Sequence, residues 1–100
     1  MGEAGPAPAA SLLGGLGLAY YETEDDDNAA RCFREQLAAA RAAGERRSEG
    51  NALYNLSLAL DRTGDRDAAI ENLEAALKVY RSIRDPSGKL AGEQLARWKT

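Results

Sequence analysis

Few side chains in this sequence have the chemistry of an active site. Cys32 is the only cysteine and the sequence contains no histidine, so neither a catalytic Cys–His pair nor an intrachain disulfide can form. The sequence also lacks a glycine-rich phosphate loop and a clustered pair of carboxylates in a pocket-like context. It therefore predicts no enzyme and no cofactor or metal site, and Cys32 is interpreted as a small helix residue.

The acidic run Glu22–Asp27 is the densest group of potential metal ligands. A twelve-residue calcium loop needs ligands at alternating positions and a closing glutamate, and this run provides neither. We interpret it as a solvated turn in which Asp25 or Asp26 caps the next helix, where acidic side chains also interact favourably with the helix dipole.

The composition indicates one small helical domain. Of the 100 residues, 44% are apolar and 6% aromatic, and good helix formers outnumber β-branched residues. A net charge of −3 disfavours a nucleic-acid partner, which requires a clustered basic face. The apolar run Ser11–Tyr20 is too short to span a bilayer and lacks the cationic flank of a signal peptide. We therefore expect a cytoplasmic protein without a membrane partner.

Helical spacing of apolar residues predicts five helices. They should run from about Ala9 to Glu22, Asp27 to Ala43, Arg46 to Arg62, Arg66 to Arg84 and Ser87 to Lys99, after a flexible leader at 1–10. Gly44 and Gly64 should end the second and third helices, and Asp65 should cap the fourth. Asp85 should cap the fifth helix, with Pro86 at its first position.

Each predicted helix carries an apolar stripe that should face the core. The stripes are Leu13, Leu16 and Tyr20; Ala29, Ala30, Phe33, Leu37 and Ala40; Leu53, Leu56 and Leu60; Ala69, Ile70, Leu73, Ala76, Leu77 and Tyr80; and Leu90, Ala91, Leu95 and Trp98. Gly14, Gly15 and Gly17 are poor helix residues, so they indicate either close packing by a neighbour or a frayed terminal element. Trp98 could pack back on the core or remain exposed.

The sequence repeats itself with an offset of forty residues. Leu53, Leu56, Asp65, Ala69, Leu73 and Leu77 correspond in this way to Leu13, Leu16, Asp25, Ala29, Phe33 and Leu37. Small residues match small residues, and large apolar residues match large ones. The predicted organisation is a first repeat at 11–44, a second at 45–84, and a capping helix or partial third repeat at 85–100.

The pattern resembles the tetratricopeptide repeat family, most strongly in residues 51–80. The residues that carry the resemblance are Leu53, Leu56-Ser57, Leu60, Gly64-Asp65, Ala69, Leu73 and Ala76-Leu77. The forty-residue period is similar to that of kinesin light chain. The resemblance implies an all-α solenoid of stacked helical hairpins that binds other proteins. In the first repeat Glu24 replaces the turn glycine and Gln36 replaces the final alanine, so this hairpin should open or pack differently.

Stacking also follows from the residues themselves. One hairpin cannot cover its own apolar stripe, so hairpins stack and curve, with the first helix of each on the concave face. Ser57 and Ala69 are small, which suits a close helix crossing. The candidate partner-binding residues on the concave face are Leu18, Tyr21, Asn51, Tyr54, Asn55, Leu58, Asp61, Arg62, Gln94 and Arg97, with Ser11, Gly14, Glu22, Leu90 and Glu93 on the same expected face.

Two functions are predicted from these surfaces. In the first, the concave face binds a peptide or protein partner, and the Asn55 amide pairs with a peptide main chain because it can both donate and accept. In the second, the glycine-rich first helix or the face near Trp98 stacks on another copy of the chain. The family's carboxylate clamp is not expected, because Gly14 and Leu18 occupy the positions of its first Lys and Asn.

Overall fold

The computed structural model describes residues 9–100, so most of the predicted leader, residues 1–8, lies outside the described part. Residues 9–100 form five helices and no strand: α1 (Ala9–Glu22), α2 (Asp26–Ala43), α3 (Arg46–Arg62), α4 (Arg66–Ser82) and α5 (Ser87–Lys99). Each helix packs against the next, and α1 also contacts α3, in a body with extents of 53, 31 and 17 Å. The predicted all-α architecture of helical hairpins is confirmed.

The four turns between the helices share one backbone geometry. A residue of positive φ closes each helix, at Glu24 (63°), Gly44 (71°), Gly64 (95°) and Arg84 (55°). The next residue donates its N–H to a carbonyl five positions earlier, over 2.9 Å in every turn. This Schellman-type bond satisfies a helix-end carbonyl that would otherwise lack a partner. The turns recur every twenty residues, so the forty-residue repeat consists of two equal halves.

The N-terminal caps of α2 and α4 are equivalent. Asp25 accepts a hydrogen bond from the N–H of Asn28, and Asp65 accepts one from the N–H of Ala68. Asp25 is therefore the cap of α2, which begins at Asp26, one residue earlier than predicted. The cap of α4 at Asp65 is confirmed.

Three further predictions about the helix ends differ slightly from the structure. Thr63 occupies the C-cap of α3, and Gly64 takes the left-handed position that follows. The fourth helix ends at Ser82 rather than near Arg84, because Arg84 adopts positive φ and cannot continue the helix. Pro86 precedes α5 instead of opening it, although the Asp85 side chain does accept from the N–H of Ser87 over 2.8 Å.

Helix α1 turns a partly different face to the core from the one predicted, although Tyr20 packs against a core cluster as expected. Ala10, Gly14 and Gly17 are buried, whereas Leu16 is 48% exposed, so the assignment of Leu16 to the core was wrong. The reason is the closeness of α2: a Cβ added at Gly17 would lie only 2.5 Å from the Phe33 ring. Glycine lets the two backbones approach, which is the close-packing alternative for these residues.

The other stripes are largely buried in two clusters. One cluster joins Ala29, Ala30 and Phe33 of α2 to Leu56 and Ala59 of α3. The second joins Leu53 to α4 and α5, and the half-buried Trp98 packs against it. Ser57 and Ala69 are fully buried, as expected for close helix crossings. Leu90 is the exception in α5, because it is 60% exposed and does not face the core.

The glycines of α1 provide a matched test of this packing. We expect Gly17→Ala to lower the free energy of unfolding by about 1–3 kcal/mol, because the new methyl group must displace the fully buried Phe33 ring. Gly15→Ala adds the same atoms where nothing lies within 4 Å, so it should raise stability by about 0.5–1 kcal/mol through helix propensity. Urea unfolding of both variants measures the difference, and equal effects would contradict the close α1–α2 packing.

Candidate functional site

Two adjoining hollows cross the first helices of the hairpins. The larger has a volume of about 250 Å³ and is lined by Ser11, Gly14, Gly15, Leu18, Gln36, Ser48, Asn51, Tyr54 and Asn55. The smaller has a volume of about 200 Å³ and is lined by Asn51, Tyr54, Tyr80, Ser87 and Leu90. Because Asn51 and Tyr54 line both, the hollows form one surface that reaches from α1 across α3 to α5. We call this surface the inner groove.

Part of the predicted set of binding residues lies in the inner groove. Leu18, Asn51, Tyr54 and Asn55 line it, as do Ser11, Gly14 and Leu90 from the wider predicted face, whereas Glu22 and Glu93 of that face line neither hollow. Their backbone positions follow from the repeat, since α1, α3 and α5 occupy equivalent places in successive hairpins. Their role in binding remains a prediction.

Two predicted site residues, Tyr21 and Arg62, contact each other outside the groove. The Arg62 guanidinium carbon lies 3.6 Å from the centre of the Tyr21 ring. Arg62 also donates to the Tyr21 carbonyl oxygen and, from Nε over 2.8 Å, to Asp26. The hydrogen bond to Asp26 raises the pKa of Arg62 above its ordinary value. These contacts tie the end of α3 to the first turn.

The remaining predicted residues also line neither hollow. They are Leu58, Asp61, Gln94 and Arg97. The Asp61 carboxylate accepts from Arg66 over 2.5 Å, and Arg97 donates to the Gln94 side-chain oxygen over 2.9 Å. The polar side chains of Asp61, Gln94 and Arg97 therefore make contacts within the chain.

A hydrogen bond orients the Asn51 amide in the groove. The Tyr80 hydroxyl donates to Asn51 Oδ1 over 2.6 Å. Burial raises the pKa of Tyr80 to about 12, so the hydroxyl keeps its proton and remains a donor at neutral pH. Since the oxygen of Asn51 is engaged, its NH₂ group is the part available to donate to a ligand.

Gln36 also lies in the groove, although the sequence alone marked it only as a departure from the repeat pattern. It is 4% exposed, yet it lines the larger hollow. The oxygen of its side-chain amide, Oε1, is buried and has no hydrogen-bond partner among residues 9–100. Gly14 makes room for it, because a Cβ there would lie 2.7 Å from Gln36 Nε2. A polar residue at a position equivalent to the buried Ala76 was the signal in the sequence.

The side chains with catalytic or metal-binding chemistry lie apart from this surface. Cys32 is buried, and desolvation raises the pKa of its thiol, which disfavours the nucleophilic thiolate. Within residues 9–100 the Cys, Asp and Glu side chains form no group of three or more that could hold a metal ion. No helix in this part of the chain has the length and apolar character needed to cross a bilayer.

The antiparallel hairpins, their regular turns and the groove along their first helices define a helical-repeat protein. A model of the tetratricopeptide repeat family matches residues 8–82, three quarters of the chain. The chain belongs to the tetratricopeptide repeat family, whose members generally mediate protein–protein interactions. No curated protein and no solved structure matches the chain.

The Tyr80–Asn51 bond predicts a pH-dependent difference in stability. Because the pKa of Tyr80 is raised to about 12 on folding, its contribution is complete below pH 10, the ordinary tyrosine pKa, and is lost as the pH rises through 12. We expect Tyr80→Phe to cost about 0.5–1.5 kcal/mol at pH 7 through the lost hydrogen bond. The free energy of unfolding of the wild type should fall between pH 10 and 12 as Tyr80 ionises. The variant has no hydroxyl at this position, so its free energy of unfolding should fall less over the same range. Urea unfolding at pH 7, 10 and 11 tests this, and parallel pH profiles would contradict it.

Proposed function

We propose that the inner groove binds an extended segment of a partner protein. The observation that carries this proposal is a row of hydrogen-bonding side chains on a continuous surface over three helices. Asn51 and Asn55 lie one helical turn apart on α3 and therefore point to the same side. A peptide main chain in extended form presents N–H and C=O groups in alternation, which amide side chains can pair with.

Asn55 supports the proposal because its amide is unused within the fold. It lines the larger hollow and is half-buried. Its side chain takes part in no hydrogen bond to other residues of 9–100, whereas the Asn28 and Asn72 amides each donate within their own helix region. An amide that stabilised a neighbouring helix would be engaged in the free protein. A ligand that pairs with Asn55 would satisfy both its donor and its acceptor.

Tyr54 supplies the apolar contact that such a groove needs. It is half-buried and stands where the two hollows meet. A tyrosine offers a large, rigid ring at low entropic cost and keeps a polar tip in water, which is why tyrosine is enriched at interfaces. Leu18 and Leu90, which are 43% and 60% exposed, provide apolar surface on either side.

A second candidate function is self-assembly through α1, favoured by its exposed outer stripe. We define this stripe as Ala9, Leu12, Leu16 and Ala19, which are all exposed, with Leu12 at 66%. The residues forty positions on from the last three are Ala52, Leu56 and Ala59, which are all buried. Leu56 and Ala59 belong to the cluster that joins α3 to α2.

The comparison with the second repeat supports a helix as the contact of this stripe. α3 buries the equivalent surface against the helix before it, and no helix of residues 9–100 covers the stripe on α1. The stripe contains no charge, so two copies could meet through it without electrostatic repulsion.

The groove proposal predicts that Asn55→Ala weakens peptide binding. Twelve-residue peptides would be selected on immobilised protein from a displayed random library, and their affinities measured by fluorescence polarisation. We expect a three- to tenfold loss, roughly that of one hydrogen bond, for peptides that use the groove. Asn72→Ala is the control, because it removes an amide on α4 that lines neither hollow. Equal affinities for the wild type and Asn55→Ala would exclude the groove site as described.

The self-assembly candidate predicts a different result from sedimentation. If α1 pairs with a second copy, the wild type should dimerise with rising concentration, and Leu16→Glu should remain a monomer because the charge would be buried in the contact. Leu90→Glu changes another exposed leucine, on α5 and outside the stripe, and should dimerise as the wild type does. A wild type that stays monomeric at all concentrations rules this candidate out.

A further inference from the structure

We propose that the partner segment is uncharged where it lies in the inner groove and that its main chain pairs with the Gln36 amide. This inference rests on the proposed function and specifies the chemistry of the ligand. It is carried by two independent observations: the charge of the groove and an unsatisfied polar group in its wall.

The inner groove is electrically neutral. None of the residues that line its two hollows is charged, although charged residues make up 29% of the chain. The lining consists of serines, amides, tyrosines, leucines and glycines. A charged side chain that entered the groove would lose hydration without gaining an opposite charge, which is unfavourable. A neutral segment would incur no such penalty.

Two acidic groups close to lining residues of α3 and α5 form ion pairs with arginines. Glu49, which follows Ser48 in the chain, lies 3.2 Å from both Arg41 and Arg46. Asp85, two residues before Ser87, lies 2.7 Å from Arg47, and its hydrogen bond from the Ser87 N–H lowers the pKa of its carboxyl. At these two places on the border of the groove the negative charge is offset by a neighbouring positive charge.

Gln36 is a polar group that the folded chain leaves unsatisfied. Its side-chain oxygen, Oε1, is buried without a hydrogen-bond partner among residues 9–100, which is unfavourable for folding. The second repeat avoids this situation, since Ala76 stands at the equivalent position and Tyr54 replaces Gly14 on the facing helix. The first repeat thus combines a glycine and a buried amide where the second combines a tyrosine and an alanine.

A peptide main chain is the ligand that fits these groups. Rotation of the Gln36 amide about its last side-chain bond presents either its oxygen or its nitrogen to the groove. The Asn51 NH₂ group, held by the Tyr80 hydroxyl, is a donor on the same surface. A main chain provides the complementary N–H and C=O groups without bringing charge. The side chains of the segment then need only be uncharged to enter the hollows.

The substitution Gln36→Met tests the role of the amide. Methionine has a similar length and adapts to irregular space, but it cannot pair with a main chain. We expect its melting temperature to rise by about 4 °C or more, because an unsatisfied buried acceptor is removed. Binding of the selected twelve-residue peptides should weaken about three- to tenfold. Asn72→Leu, an amide replacement outside the groove, should leave affinity unchanged.

The charge of the ligand is tested with the same peptide selection. We expect Asn55-dependent peptides to lack Asp, Glu, Lys and Arg in their central residues. Their affinities should change less than about twofold between 50 and 500 mM NaCl, because ion pairing is absent. Selection of charged centres with salt-sensitive affinity would overturn the neutral ligand while leaving the groove function intact. Unchanged binding by Gln36→Met, or a fall in its melting temperature, would overturn the role of Gln36. If no peptide shows Asn55 dependence, the proposed function itself fails, and this inference with it.

Discussion

Close approach of the two helices within each hairpin is the constraint on which the structure depends. Where α1 meets α2, Gly17 faces the Phe33 ring at a distance that a side chain would not allow, and Gly50 faces Tyr80 in the same way between α3 and α4. At the positions equivalent to Gly17 and Phe33 the second repeat has Ser57 and Leu73, which means a larger residue in place of the glycine and a smaller one in place of the phenylalanine. The sizes of facing residues therefore compensate, and this keeps both hairpins tightly packed.

The same compensation shapes the inner groove. Gly14 leaves space on α1, and Gln36 fills it from α2 with an amide instead of an apolar group. On α3 the corresponding Tyr54 is large and stands between the two hollows. A packing rule of the core thus places an unsatisfied amide at one end of the groove and an aromatic ring at its centre.

Much of the fold could be predicted because its signals are local. Asp65 and the left-handed glycines mark helix ends in the sequence itself, and the forty-residue offset identified the hairpins. Hydrophobic spacing could not predict which face of α1 is buried, because it places the leucines in the core. Gly17 is buried instead, since it lets α1 approach the ring of Phe33 on α2. The positions of Asn51, Tyr54 and Asn55 on the groove could be predicted from the repeat. Tyr21 and Arg62 have equally suitable chemistry, and only coordinates show that they contact each other.

The regular turns have a consequence for how this chain tolerates changes in length. Each α-helical residue advances the side chain by about 100°, so inserting one residue inside a helix would rotate every later position away from its contacts. Whole hairpins of forty residues, such as the one between the left-handed positions 44 and 84, are the increments that keep every apolar face in phase. Duplication or loss of such units would exchange one hairpin edge for another of the same shape, which is a simple physical route by which an array of this kind lengthens or shortens.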